Sequence, residues 1–93
     1  MRILQTNGFN KTVKKLHANQ KDCLDDTILV ILSDPLIGTE KIGDLSNVRI
    51  YKFRMIEQLT LLAYIHNPED SSIILLALGS HENFYRDLKT QLK

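Results

Sequence analysis

The stretch that decides the fold is Val48-Arg49-Ile50-Tyr51-Lys52-Phe53-Arg54-Met55. It alternates. Tyr51, Phe53 and Met55 fall on one side of an extended chain, and Ile50, Lys52 and Arg54 on the other. Successive strand side chains point to opposite faces, so this period of two predicts a strand with one apolar face and one face carrying two cations.

Toward the C-terminus, Leu59 to Ile65 and Ser72 to Leu78 predict two more strands, with a turn at His66-Asn67-Pro68-Glu69-Asp70. Ser80 can cap a final helix in which Phe84, Leu88 and Leu92 recur at i, i+4, i+8. Toward the N-terminus, Pro35 to Asn47, with Gly38 and Gly43, reads as a loop. Before it, Leu24, Ile28, Ile31 and Leu32 stripe a helix with Asn19 as its expected N-cap. Asp34-Pro35 ends that helix, because the residue before proline resists helical geometry. Phe9, Val13 and Leu16 mark an earlier helix, after a turn at Thr6-Asn7-Gly8 and a short strand, Arg2 to Gln5. The order is β-α-α-β-β-β-α. It predicts an α+β fold in which a helical hairpin packs on one face of a mostly antiparallel, four-stranded sheet. The other face is then partly open, and by parity it carries Lys52 and Arg54.

The chain has 93 residues, of which 43% are hydrophobic and 25% charged. That fits a single domain spanning residues 1–93. The one cysteine, Cys23, cannot form an internal disulfide, and this points to a reducing, cytoplasmic setting. No apolar run approaches the ~20 residues of a membrane helix. Net charge is only +1, but the charges are segregated. Met1 to Lys21 holds Arg2, Lys11, Lys14, Lys15 and Lys21 and no acid. Asp22 to Ser46 holds six acids against Lys41 alone. A balanced total therefore hides a local basic field, and it is the local field that an anion meets.

Lys52 and Arg54 leave the same strand face roughly 6–7 Å apart, a spacing that suits one phosphate or two adjacent ones. Cations on a strand also keep a sheet edge soluble, so the pair alone decides little. The tail adds His81, a proton-transfer group near neutral pH, with Glu82 beside it in the first helical turn. Tyr85 lies one turn on from His81 and can stack on a base. A final strand beside that of Lys52 and Arg54 would gather these groups in one groove. His17, His66 and His81 have no zinc-like spacing, and there is no glycine-rich phosphate loop or nucleophile elbow. No metal or cofactor is implied.

The whole pattern resembles the RelE/ParE superfamily of bacterial type II toxins. The resemblance is carried by the element order, the basic first helix, Asp34-Pro35, and Lys41 through Asp44-Leu45 leading into Val48 to Arg54. Leu61-Leu62-Ala63-Tyr64 and the run Leu76 to Tyr85 complete it. It implies a toxin neutralised by a cognate antitoxin, with toxin–antitoxin hetero-oligomers. In the RelE branch it implies a ribosome-dependent endoribonuclease that cuts mRNA in the ribosomal A site without a metal. Lys52, Arg54, His81, Glu82 and Tyr85 would be catalytic, and Lys41, Arg49 and Arg86 would bind substrate. Leu61 stands where many RelE-type members have an arginine, and the helical tail resembles the ParE branch, whose members inhibit DNA gyrase without cutting nucleic acid.

Overall fold

A computed structural model describes residues 2–41, 47–80 and Phe84. Strand β1 (Arg2–Gln5) leads into helices α1 (Asn7–Lys14) and α2 (Ala18–Ser33). Strands β2 (Thr39–Glu40), β3 (Arg49–Met55), β4 (Gln58–Asn67) and β5 (Ser72–Ser80) follow. They form one five-stranded sheet in the order β1-β5-β4-β3-β2. The β2–β3, β3–β4 and β4–β5 pairs are antiparallel, while β1 pairs with β5 in parallel. The α+β class is as expected, with five strands instead of four. The extra one, β2, lies inside the expected loop and adds two residues to the β3 edge.

Local chemistry sets the helix ends. Thr6-Asn7-Gly8, expected as a turn, instead opens α1. The Thr6 hydroxyl oxygen accepts from the Phe9 N–H at 3.1 Å, which satisfies one of the unpaired donors of the first turn. The same hydroxyl donates to the Leu76 carbonyl at 2.9 Å and so fastens α1 to β5. Helix α2 begins two residues earlier than expected. His17, not Asn19, is its N-cap, and the His17 N–H is taken by the Gln20 side-chain oxygen at 2.8 Å. At the far end, Asp34 is the C-cap, as the following proline requires.

Both faces of the sheet are packed. On the helix side, Phe9, Leu24 and Ile31 meet Met55, Leu62, Tyr64, Ile73, Leu75 and Leu78. On the other side, Val48, Ile50, Leu61, Ala63, Leu76 and Ala77 cluster with Phe84, which is only 3% exposed. Among the described residues, the second face is therefore covered at its centre, while its positions toward the β3–β4 hairpin, Lys52 and Arg54, are exposed. A register shift between Ala63 and Tyr64 leaves Leu76 as the extra residue of β5. Full burial of a Leu or Ile side chain contributes about 1.5–3 kcal/mol, so both layers matter to stability. The final helix expected after Ser80 lies outside the described residues, apart from Phe84, and Ser80 itself ends β5. Among the described residues no helix is long and apolar enough to cross a membrane.

Candidate functional site

Strand β3 sorts its side chains as the alternation requires. Tyr51 and Phe53 pack toward the helices, with ring centroids 6.2 Å apart. Lys52 and Arg54 point the other way and are exposed. Opposite them on β4 stand Leu61, fully buried, and Leu59, 43% exposed. Lys52 has no hydrogen-bond or ion-pair partner among the described residues. The Arg54 guanidinium makes one hydrogen bond, donating from Nη1 to the Glu57 carbonyl at 3.2 Å. Two cations thus stand side by side at the uncovered end of the sheet, where an anion can reach them.

The final strand is not beside β3, because β4 lies between them. A lateral row joins the two nonetheless. Lys52 pairs with Leu61, and Leu61 pairs with Gly79. Two strand spacings put Lys52 and Gly79 about 10 Å apart. Phe84 packs over Gly79, and a Cβ placed there would sit 3.6 Å from its ring. The end of β5 is therefore brought to the same end of the sheet as the basic pair. His81, Glu82, Tyr85 and Arg86 lie outside the described residues.

Arg49 has a different place. Its position on β3 has the parity of Tyr51, opposite to that of Lys52. Its guanidinium donates to the carbonyls of Gly38 at 2.8 Å and Leu36 at 3.3 Å. It holds the segment after α2 and is not gathered with Lys52 and Arg54. Lys41 follows β2, and its N–H donates to the Val48 carbonyl, about 13 Å of strand away from Lys52. The structure therefore separates Lys41 and Arg49 from the Lys52–Arg54 pair.

Close to Arg49, the Tyr64 hydroxyl donates to the Pro35 carbonyl at 2.7 Å and accepts from the Gly38 N–H at 3.0 Å. Burial pushes this hydroxyl above its ordinary pKa of 10.0, while the Gly38 N–H and the Arg49 charge pull it back. The effect is structural, far from the basic pair. What composition did not reveal is the β3–β4 turn. Ile56 and Glu57 both adopt left-handed backbone conformations, with φ of 48° and 71°. Neither is a residue that announces such a turn.

A family model described as ParE-like toxin of type II bacterial toxin-antitoxin system matches residues 3–89. The chain belongs to this family. Solved structures share the fold of this ParE-like toxin at low sequence identity. A doubly substituted RelE toxin from Escherichia coli in the free state superposes with a TM-score of 0.74 at 17% identity, covering 97% of this chain and 90% of that one. A chain of the intact E. coli RelBE toxin-antitoxin complex gives 0.71 at 18% identity, over 87% of this chain and 96% of that one. A chain of the Mycobacterium tuberculosis RelBE2 complex gives 0.74 at 13% identity, over 86% and 96%. No curated protein is matched by sequence.

Proposed function

We propose that this ParE-like toxin is a ribosome-dependent mRNA endoribonuclease that arrests translation in the cytoplasm and is neutralised by a cognate antitoxin. The observation that carries the reading is the exposed Lys52–Arg54 pair at the uncovered end of the sheet, on the row that leads through Leu61 to Gly79.

The chemistry requires no metal. The 2′-hydroxyl oxygen attacks the adjacent phosphorus and loses its proton to a base, for which Glu82 or Lys52 serves. The bond from phosphorus to the 5′-oxygen breaks, and His81 supplies the proton to that oxygen. The products are a 2′,3′-cyclic phosphate and a 5′-hydroxyl. Arg54, with Arg86, stabilises the doubly charged phosphorane, and Tyr85 stacks on a base. Arg49 drops out of this scheme, because its strand position has the parity opposite to Lys52 and its guanidinium is directed to the Leu36 and Gly38 carbonyls. The antitoxin reading is supported by the fold shared with chains of toxin-antitoxin complexes. The exposed Ile56 and Leu59 beside the basic pair give such a partner apolar surface to cover.

A second reading, inhibition of DNA gyrase by protein binding, is favoured by the apolar, fully buried Leu61 at the middle of the row. Expression without the antitoxin, followed by mapping of mRNA 5′ ends, separates the two. Cuts within translated frames are expected. Growth arrest with DNA damage and intact mRNA would select the gyrase reading instead.

A further inference from the structure

Met55 and Gln58 form the last pair of the β3–β4 hairpin, so Ile56 and Glu57 alone make the turn. Positive φ at both central residues is the mark of a type I′ turn, which asparagine and glycine accept readily. Isoleucine does not. A β-branched residue at φ 48° is an outlier, and surrounding structure must hold it there. Burial does not do so, because Ile56 is 52% exposed and Glu57 is exposed as well. What this conformation does produce is an acceptor. The Glu57 carbonyl receives the Arg54 Nη1–H at 3.2 Å.

We propose that the left-handed Ile56–Glu57 turn is a positioning device, fixing the Arg54 guanidinium at the hairpin end of the basic face through the Glu57 main-chain carbonyl. The inference deepens the nuclease reading and rests on it for its catalytic consequence. An exposed arginine on a strand end has many rotamers, and one fixed hydrogen bond selects among them. The remaining N–H groups of the fork then face an incoming phosphate already ordered. Lys52 gains no such support, since it has no partner among the described residues. A preorganised donor aimed at developing charge is worth more than a mobile one. The acceptor is main chain, so the Glu57 carboxylate is dispensable but the turn geometry is not.

Three variants of the full chain test this. Ile56→Asn with Glu57→Gly keeps the type I′ turn. Ile56→Gly with Glu57→Asn keeps the loop length but favours a type II′ turn, and a glycine inserted between the two residues lengthens the loop. The first readout is the Arg54 side-chain Nε–H signal in 15N NMR of the isolated toxin. It should stay ordered in the Asn-Gly variant and become mobile in the other two. The second is mRNA cleavage in a translating extract, which should fall about tenfold or more in the altered turns and be rescued in the Asn-Gly variant. In an Arg54→Lys background the altered turns should cost nothing further, a coupling that general loosening of the hairpin does not produce. Equal order of Arg54 in all variants, or additive effects with Arg54→Lys, overturns the proposal. Absence of cleavage by the unaltered chain would instead sink the nuclease reading and leave the NMR test of the turn standing.

Discussion

Gly38 and Tyr64 are locked together. The Gly38 N–H donates to the Tyr64 hydroxyl at 3.0 Å, and a Cβ on Gly38 would approach that oxygen to 2.8 Å. Arg49 closes the space from the other side, 3.2 Å from the same virtual atom. Gly38→Ala is therefore expected to cost about 1–3 kcal/mol, because the buried hydroxyl and the β3 main chain have little room to give. Urea unfolding followed by circular dichroism measures this, and an unchanged midpoint would contradict the packing described.

Tyr64→Phe removes two hydrogen bonds at once and leaves the buried Gly38 N–H without its acceptor, an expected loss of about 1–3 kcal/mol. It also has a pH signature. The folded-state pKa of Tyr64 is raised by burial, so the folded chain holds its proton more tightly than the unfolded chain. That stability is complete below the unfolded value near 10 and is lost as pH rises above it. The difference in unfolding free energy between the unaltered chain and Tyr64→Phe should hence shrink above pH 10. A constant difference across that range would contradict the assignment.

Lys52→Ala and Arg54→Ala should behave as folded, inactive proteins. Both side chains are exposed, so stability should change by no more than about 0.5 kcal/mol. Growth arrest on induction should nonetheless disappear. Thermal unfolding and growth curves on the same variants test the pair together, and full toxicity in both would remove the basic patch from the mechanism.

Leu61→Arg tests whether the arginine often found at this place in the RelE branch could simply be restored. Leu61 is 0% exposed and belongs to the cluster that includes Ala63, Leu76 and Phe84. Burying an unpaired charge there should cost about 3 kcal/mol or more. A stable, active Leu61→Arg protein would mean that Phe84 leaves this face readily.

Ile56→Asn should stabilise the chain by about 1 kcal/mol, since asparagine accepts the left-handed backbone that isoleucine resists. Comparison of unfolding midpoints decides this, and a loss of stability would show that the exposed Ile56 side chain contributes more to the fold than its conformation costs.

Much of the architecture was legible because the relevant signals are local. The alternation from Val48 to Met55 set the strand, its two faces and the exposure of Lys52 and Arg54. The stripe of Leu24, Ile28 and Ile31 set α2. What escaped depends on distant partners. A two-residue strand such as Thr39–Glu40 has no period to read, and it exists because β3 offers it an edge. The place of β4 between β3 and β5, and with it the indirect row from Lys52 to Gly79, is a matter of topology. So is the closure of the second face by Phe84. The hairpin turn escaped for a different reason. Ile56 and Glu57 carry none of the composition of a type I′ turn, and only the need for β3 to return as β4 pointed there.

The parallel pairing of β1 with β5 sets a timetable for synthesis. Strand β1 is made before its partner, and its partner positions, Ser72 to Leu75, come far later in the chain. The bond from Thr6 to Leu76 spans 70 positions. Until that far strand is available, the α1 cap has only half of its contacts and β1 has none of its ladder. Closing such a distant pair is slow relative to forming the β3–β4 hairpin. The β3–β4 hairpin, which carries the basic patch, can therefore form before the sheet is closed, and β1 joins the sheet only once the chain has been made through β5.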